Sequence, residues 1–204
     1  MATARSTAVK PPRAFFAREA RAVACELLGL HLIHCDRGTR REARIVETEA
    51  YLGPEDLAAH SAGGRRTTRT EVMFGPAGHA YVYLIYGMWN CLNVVTAAVG
   101  VPHAVLVRAL EPIANVAKST WGPGLATRAM HIDRGLNGID LRGDTLWIER
   151  PAGGARPVRI GRSTRIGVEY AGSWARRPWR YFDRDSPYVS SVSEAARRRA
   201  GIAP

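Results

Sequence analysis

The segment RIVETEAY contains the residues of this chain best suited to chemistry. Side chains alternate between two faces of an extended strand, so one face would carry Glu47, Glu49 and Tyr51. Glu49 is flanked by apolar residues, and burying an unpaired carboxylate is costly, so we expect it to be exposed, paired or functional. A carboxylate in such a place can accept a proton from water and stabilise developing positive charge.

A second segment, YVYLIYG, alternates in the same way and would place Tyr81, Tyr83 and Ile85 on one face. Together with Glu49 and a histidine, these tyrosines could form an aromatic box. Such a box suits a flat ligand that makes hydrogen bonds, for example a nucleobase, which proteins recognise by stacking and edge contacts. The alternative is a half-buried sheet in which tyrosines such as Tyr83 and Tyr86 simply pack against their neighbours.

The charge of the chain favours a polyanionic partner. Its 204 residues have a formal net charge of +11 and a pI near 10.4, which points first to nucleic acid and second to an anionic membrane surface. Lys10 and Lys118 are the only lysines among 29 basic side chains. Arginine binds phosphate with two parallel hydrogen bonds and stacks on bases. The alternatives are a charge that only maintains solubility and a codon bias towards arginine.

Several other classes of site lack support in the sequence. There is no GxGxxG, P-loop or HExxH motif, and the histidines lack ligand spacing. The three cysteines, Cys25, Cys35 and Cys91, show no CxxC pairing and suit reduced cytosolic thiols. Neither an apolar signal core nor a membrane-length apolar run is seen. We therefore expect a cytoplasmic protein that is neither secreted nor membrane-spanning.

The elements that must position these residues can be read from periodicity. We predict a loose basic tail over residues 1–13, followed by a single domain over 14–204. Helices are predicted over 15–28 and over 123–131, and a further helix is predicted to begin at Pro54. Strands are predicted over 30–35, 43–51, 79–86, 90–96, 104–110, 146–149, 158–160 and 179–182, with a hairpin turn at Gly87-Met88-Trp89.

Five segments then go beyond periodicity and follow one another in order along residues 12–192: RIVETEAYLGPEDLAAHSAGGRRTTRTEVMF, YVYLIYGMWNCLNVVT, VLVRALEP, RIGVEYAGSWARRPWRYF and SPYVS. Together they resemble the signature segments of the 3-methyladenine DNA glycosylase family of alkyladenine type. The resemblance implies a monomeric, single-domain, mixed α/β (α+β) fold with a curved antiparallel β-sheet, flanking helices and a β-hairpin that inserts into the DNA minor groove. It implies no metal and no organic cofactor.

The resemblance also implies a role for individual residues. Glu49 matches the general base of the family, and Arg108 with the backbone carbonyl of Ile166 would help it hold the water. The walls of the base pocket match Tyr51, His60 and Tyr83, and Asn93 matches the residue that guards against the exocyclic amine of guanine. Tyr86 matches the aromatic side chain that fills the gap left by the flipped nucleotide, and we expect Met88, beside it at the hairpin tip, to intercalate into the DNA as well.

The activity implied is release of damaged purines from double-stranded DNA, with 3-methyladenine, hypoxanthine and ethenoadenine all fitting the pocket. Because Lys10 and Lys118 are the only lysines and arginine stays protonated, we expect no strand cleavage. DNA binding would also place the protein on the nucleoid. The chain departs from the family pattern in two places that concern DNA contacts. It is shorter than the family norm between Arg108 and Gly122. The family motif GPGKL here reads Gly122-Pro123-Gly124-Leu125, without the lysine. Two other functions remain open, a basic nucleic-acid-binding module that has lost catalysis and an RNA-binding protein on the same sheet.

Overall fold

The computed structural model describes residues 8–154 and 156–202. Over these residues the chain forms one antiparallel sheet of eight strands, which are β1 (His31–Asp36), β2 (Thr39–Tyr51), β3 (Ala80–Ile85), β4 (Trp89–Thr96), β5 (His103–Ala114), β6 (Leu146–Glu149), β7 (Ile160–Ser163) and β8 (Arg180–Asp183). The spatial order is β3-β4-β5-β2-β1-β6, and β8 pairs with both β2 and β7. The sheet curls into a half-barrel, which makes the fold single-domain α+β.

A β-bulge in β2 decides which side chains reach the site. The pairing of β2 with β5 shifts between Ile45 and Glu47, so that Val46 is an extra residue, and it shifts again at Arg108 of β5. Before the bulge, Ile45 belongs to the main hydrophobic core; after it, Ala50 does. The bulge therefore reverses the alternation and turns Glu47 and the odd-numbered residues after it away from the core.

Four α-helices flank the sheet: α1 (Arg13–Phe16), α2 (Ala20–Leu27), α3 (Pro123–Ala129) and α4 (Glu194–Arg199). Short 3₁₀ helices cover Gly53–Glu55, Ala62–Gly64, Glu71–Phe74, Arg134–Leu136 and Glu169–Arg176. The core face of α2 is formed by Ala20, Val23, Ala24 and Leu27, which have the spacing of one helical face and are fully buried. None of the helices in the described ranges is long and apolar enough to cross a membrane.

The sequence predictions need correction at several elements. The predicted helix over 15–28 is two helices, because the carbonyls of Phe16 and Arg18 bond to the amide of Ala97 instead of continuing a helical ladder. The helix predicted at Pro54 is one 3₁₀ turn. Strand β5 runs four residues beyond the predicted end at Leu110, and the last two strands begin later than predicted, at Ile160 and Arg180.

The amino-terminal tail is tied to the domain from Val9 onward. Val9 pairs with Arg150, Lys10 forms an ion pair with Asp144, and Arg13 lies at the start of α1. The loose tail predicted over residues 1–13 therefore does not extend to residue 13. Residues 1–7 lie outside the described part of the chain.

Candidate active site

The carboxylate of Glu49 is completely buried and has a partner on each oxygen. Its Oε1 accepts a hydrogen bond from the backbone amide of Ile166 at 2.9 Å, and its Oε2 accepts one from the Tyr51 hydroxyl at 2.8 Å. The family resemblance implies that the Ile166 carbonyl helps to hold the water; the contact that the structure shows between Ile166 and Glu49 is made by the amide. Glu49 and Tyr51 project from the same face of β2, as period two predicts.

The charge of Glu49 is set by opposing effects. Burial raises its pKa, while the Arg108 guanidinium, whose Nη1 lies 3.5 Å from Oε1, and the hydrogen bonds from Ile166 and Tyr51 lower it. The net direction is upward. A carboxylate with a raised pKa is a stronger base than one in water, which is the property that a general base needs.

A cleft of about 610 Å³ opens next to this carboxylate. Its walls include Tyr51, Arg108 and Ile166, the three residues that contact Glu49. Glu49 itself is buried and lies directly behind this wall. The cleft is of the size and mainly apolar character typical of a small-molecule site.

Aromatic rings from different elements form one side of the cleft. His60 stacks edge-on against Tyr83 with ring centroids 4.6 Å apart, and the Tyr81 and Tyr83 rings lie 5.4 Å apart. The His60 Nδ1 is 2.9 Å from the Tyr81 hydroxyl. Burial lowers the pKa of His60 to about 4, so the ring is neutral at neutral pH. A neutral imidazole can make hydrogen bonds to a base without adding positive charge.

Asn93 is buried on β4 directly opposite Tyr81 and lines the same cleft. Its side-chain Nδ2 donates to the backbone carbonyl of Tyr81 at 3.1 Å. The backbone of the neighbouring strand therefore fixes the orientation of the amide. A rigid amide in the wall can exclude ligands by shape and by hydrogen-bond mismatch.

The hairpin between β3 and β4 turns at Tyr86, Gly87 and Met88, while Trp89, predicted as part of the turn, belongs to β4. Tyr86 and Gly87 both have positive φ, at 53° and 70°, which is strained for a tyrosine but gives the twist that a tight hairpin requires. The side chains of Tyr86 and Met88 are 85% and 68% exposed. Two large side chains are thus held out into solvent at the hairpin tip, and one of them, Tyr86, is also part of the cleft lining.

The segment Gly122–Leu125 closes another side of the cleft and packs on the hairpin. A Cβ on Gly124 would come within 2.8 Å of the Trp89 ring, so only glycine allows this approach. The chain between β5 and α3 forms no helix, in agreement with the short connection noted in the sequence.

A buried ion pair that sequence reasoning missed lies behind Tyr51. Arg165 and Asp56 have no exposed side-chain surface, and Arg165 Nη2 donates to Asp56 Oδ1 at 2.9 Å. The guanidinium also stacks over the Tyr51 ring at 4.8 Å. Asp56 in turn accepts from the amides of Leu52 and Ala58. The pair therefore holds one cleft wall and the loop that leads to His60.

Comparisons with known proteins match this arrangement to one family. The family model described as methylpurine-DNA glycosylase (MPG) covers residues 14–187. The chain belongs to the methylpurine-DNA glycosylase family. The resemblance noted in the sequence is confirmed.

Three relatives show how far the similarity to this family extends, and each is named "Putative 3-methyladenine DNA glycosylase". The protein from Anaeromyxobacter dehalogenans (strain 2CP-1) is 54% identical over 89% of this chain and 86% of its own length. The one from Legionella pneumophila (strain Lens) is 52% identical over 90% of this chain and 99% of its own. The one from Bacillus cytotoxicus is 43% identical over 89% of this chain and all of its own length.

The structure brings the sequence-predicted site residues together around this one cleft. The cleft is lined by Tyr51, His60, Tyr83, Tyr86, Asn93, Arg108 and Ile166. Glu49 lies behind the cleft wall, and Met88 lies at the hairpin tip. Within the described ranges no group of three or more His, Cys, Asp or Glu side chains is arranged to hold a metal ion. The arrangement offers an aromatic slot, a buried carboxylate and an exposed aromatic tip.

Proposed function

We propose that this protein is a DNA glycosylase that hydrolyses the N-glycosidic bond of damaged purines, 3-methyladenine first among them, in double-stranded DNA. The observation that carries the proposal is the buried Glu49 carboxylate at the wall of an aromatic cleft on a strongly basic chain. Family membership and the names of the relatives support the same substrate class.

The reaction requires the damaged base to leave the duplex. The glycosidic bond of a stacked nucleotide is out of reach, so the nucleotide is rotated out at a cost of a few kcal/mol. The cleft then receives the base between its aromatic walls. An alkylated purine carries positive charge, and a tyrosine-lined slot attracts it by about 0.5–2 kcal/mol per well-placed ring.

Cleavage is then a hydrolysis with one water. The C1′–N bond breaks and its electron pair stays with the base, which neutralises the alkylated ring and leaves an oxocarbenium-like sugar. A water forms the new C1′–O bond and gives its proton to Glu49. Arg108 and the Ile166 backbone hold the carboxylate in place beside the water. The same carboxylate stabilises the positive charge of the sugar.

A panel of duplexes, each containing one damaged base, tests this function. We expect release of free base from alkylated duplexes, with hypoxanthine and ethenoadenine as further substrates, and no release from undamaged DNA. Binding to damaged duplex without any release would instead favour the non-catalytic nucleic-acid-binding module. Tighter binding to RNA than to damaged duplex would favour the RNA-binding alternative.

Tyr86→Ser is expected to weaken base flipping more than it weakens general DNA affinity. The tyrosine at the hairpin tip is placed to fill the gap in the stack, whereas the arginines supply the salt-dependent binding. A fluorescent base analogue opposite thymine reports flipping, and a salt titration reports affinity. Equal flipping by wild type and variant would contradict the wedge role.

Asn93→Ala is expected to relax discrimination against guanine. The change removes a fixed amide from the cleft wall and makes room for the exocyclic amine at the purine 2-position. The measurement is the ratio of release rates for alkylated adenine and alkylated guanine. An unchanged ratio would place the selectivity on other residues of the wall.

We also expect the DNA strand to remain intact after base release. Strand cleavage proceeds through a Schiff base that requires an amine, and arginine stays protonated. Neither lysine is part of the cleft lining; Lys10 pairs with Asp144, and Lys118 bonds to the Gly201 carbonyl at 3.3 Å. Nicks should appear only after hot alkali, and borohydride should trap no adduct. An adduct that disappears in Lys118→Ala would contradict a water mechanism.

A further inference from the structure

A second buried carboxylate, Glu47, lies two residues before the proposed base and is completely enclosed. Its Oε1 accepts from Arg180 Nη1 at 2.7 Å and from the Ser190 hydroxyl at 2.8 Å, and its Oε2 accepts from the Ser190 amide at 2.7 Å. Three short hydrogen bonds from strand β8 and the carboxy-terminal segment therefore fix this side chain. It is absent from the cleft lining, so it does not act as a wall for the base.

Arg108 lies between the two carboxylates. Its Nε is 3.5 Å from Glu47 Oε1, and its Nη1 is 3.5 Å from Glu49 Oε1. The Nε also donates to the Ser190 hydroxyl at 3.4 Å. A single, nearly buried guanidinium is thus shared by the proposed base and by a second acid that the reaction does not use.

The titratable and charged groups around Glu49 come from five strands. Tyr51 and Glu47 share its own strand, β2, and Arg108 approaches from β5. The Tyr83 hydroxyl on β3 and the Cys91 thiol on β4 are also within electrostatic range. Arg180 on β8 lies opposite Glu49 in the strand pairing and bonds to Glu47. Arg197 on α4 is within electrostatic range of Glu47 as well, but only Arg108 and Arg180 form ion pairs with the two buried carboxylates.

We propose that Glu47 is a positioning residue that sets the basicity of Glu49 by sharing Arg108 with it. The inference rests on the proposed function. Without the negative charge of Glu47, Arg108 would act on Glu49 alone and make it a weaker base. Without Arg180, the charge of Glu47 would be less compensated and would make Glu49 harder to ionise. Burial already raises the pKa of Glu49, and the nearby charge of Glu47 adds to that effect.

The test is the pH dependence of base release at single turnover, with dimethyl-sulfate-treated duplex DNA as the probe. The rate of base release is expected to fall at low pH as Glu49 takes up a proton, and this falling part of the pH profile is its acid limb. Glu47→Gln is expected to move this acid limb to lower pH by about one unit and to lower the plateau rate. Arg180→Gln is expected to move the limb to higher pH. Opposite displacements cannot arise from a general loosening of the fold.

Two further variants separate charge from packing. Glu47→Asp keeps the negative charge and is expected to leave the limb near its wild-type position even where the plateau rate falls. The matched control is Glu149→Gln on β6, a nearly buried glutamate that also pairs with an arginine, Arg40, but lies at the far edge of the sheet. It is expected to leave the limb unchanged.

The proposal is overturned if Glu47→Gln and Arg180→Gln lower the rate equally at every pH, or displace the limb in the same direction. If Glu47→Gln does not fold, the other two variants still test the proposal. Arg180→Gln must displace the acid limb, and Glu47→Asp must leave it in place. Absence of base release by the wild type at every pH would instead reject the proposed function.

Discussion

Replacing Glu49 by Gln is expected to lower base release by about 10²–10⁴-fold while binding to damaged duplex is largely retained. The amide can keep both existing contacts, since its oxygen can accept from Ile166 N–H and its NH₂ can donate to the Tyr51 hydroxyl. The shape of the cleft wall is therefore preserved. What the amide cannot do is take the proton of a water.

Single-turnover release and duplex binding should be measured on the same preparation, with Glu149→Gln as the matched substitution. That control makes the same chemical change far from the cleft and is expected to release base at the wild-type rate. Release by Glu49→Gln at a near wild-type rate would mean that another group accepts the proton. Loss of binding in parallel with release would mean that the variant has a damaged cleft.

Replacing Asp56 by Ala is expected to lower the free energy of unfolding by about 3–5 kcal/mol, because it leaves the Arg165 charge buried without its partner. The substitution also removes the acceptor of the Leu52 and Ala58 amides, so it should further destabilise the loop that leads to His60. Urea denaturation measures the change. Base release should fall as well, because the Tyr51 wall rests on the same guanidinium.

The control for this prediction is an ion pair that is exposed to solvent. Glu71 pairs with Arg66 at 2.6 Å, and both side chains are more than half exposed. Glu71→Ala is expected to change the free energy of unfolding by less than about 0.5 kcal/mol. A loss below about 1 kcal/mol for Asp56→Ala would show that Arg165 finds other partners or water when Asp56 is removed.

Local patterns predicted the parts of the site that lie on a single strand. Period two placed Glu49 and Tyr51 on one face, and their hydrogen bond confirms it. The same pattern could not show that a bulge at Val46 turns this face away from the core, because a bulge depends on the register with β5. Which face of β2 would meet the cleft was therefore not decided by the strand itself.

Contacts between distant segments were out of reach of periodicity. Arg108 and Ile166 were placed beside Glu49 only through the family resemblance, and the structure shows the contacts. The pairs Arg165–Asp56 and Arg180–Glu47 were not anticipated, because the argument that a buried acid needs a partner was made from the sequence for Glu49 alone. Likewise, the break between α1 and α2 arises because the carbonyls of Phe16 and Arg18 accept hydrogen bonds from the amide of Ala97, far along the chain.

In the proposed mechanism, a damaged nucleobase held in the aromatic cleft is released by a water that Glu49 activates. The most direct test is chromatography of the free bases released from dimethyl-sulfate-treated duplex DNA, with wild type and Glu49→Gln in excess over damaged sites. We expect the wild type to release 3-methyladenine and leave an alkali-labile abasic strand, and the variant to bind the same DNA and release almost none. Equal release by both proteins, or binding by both with no free base from either, would contradict the account.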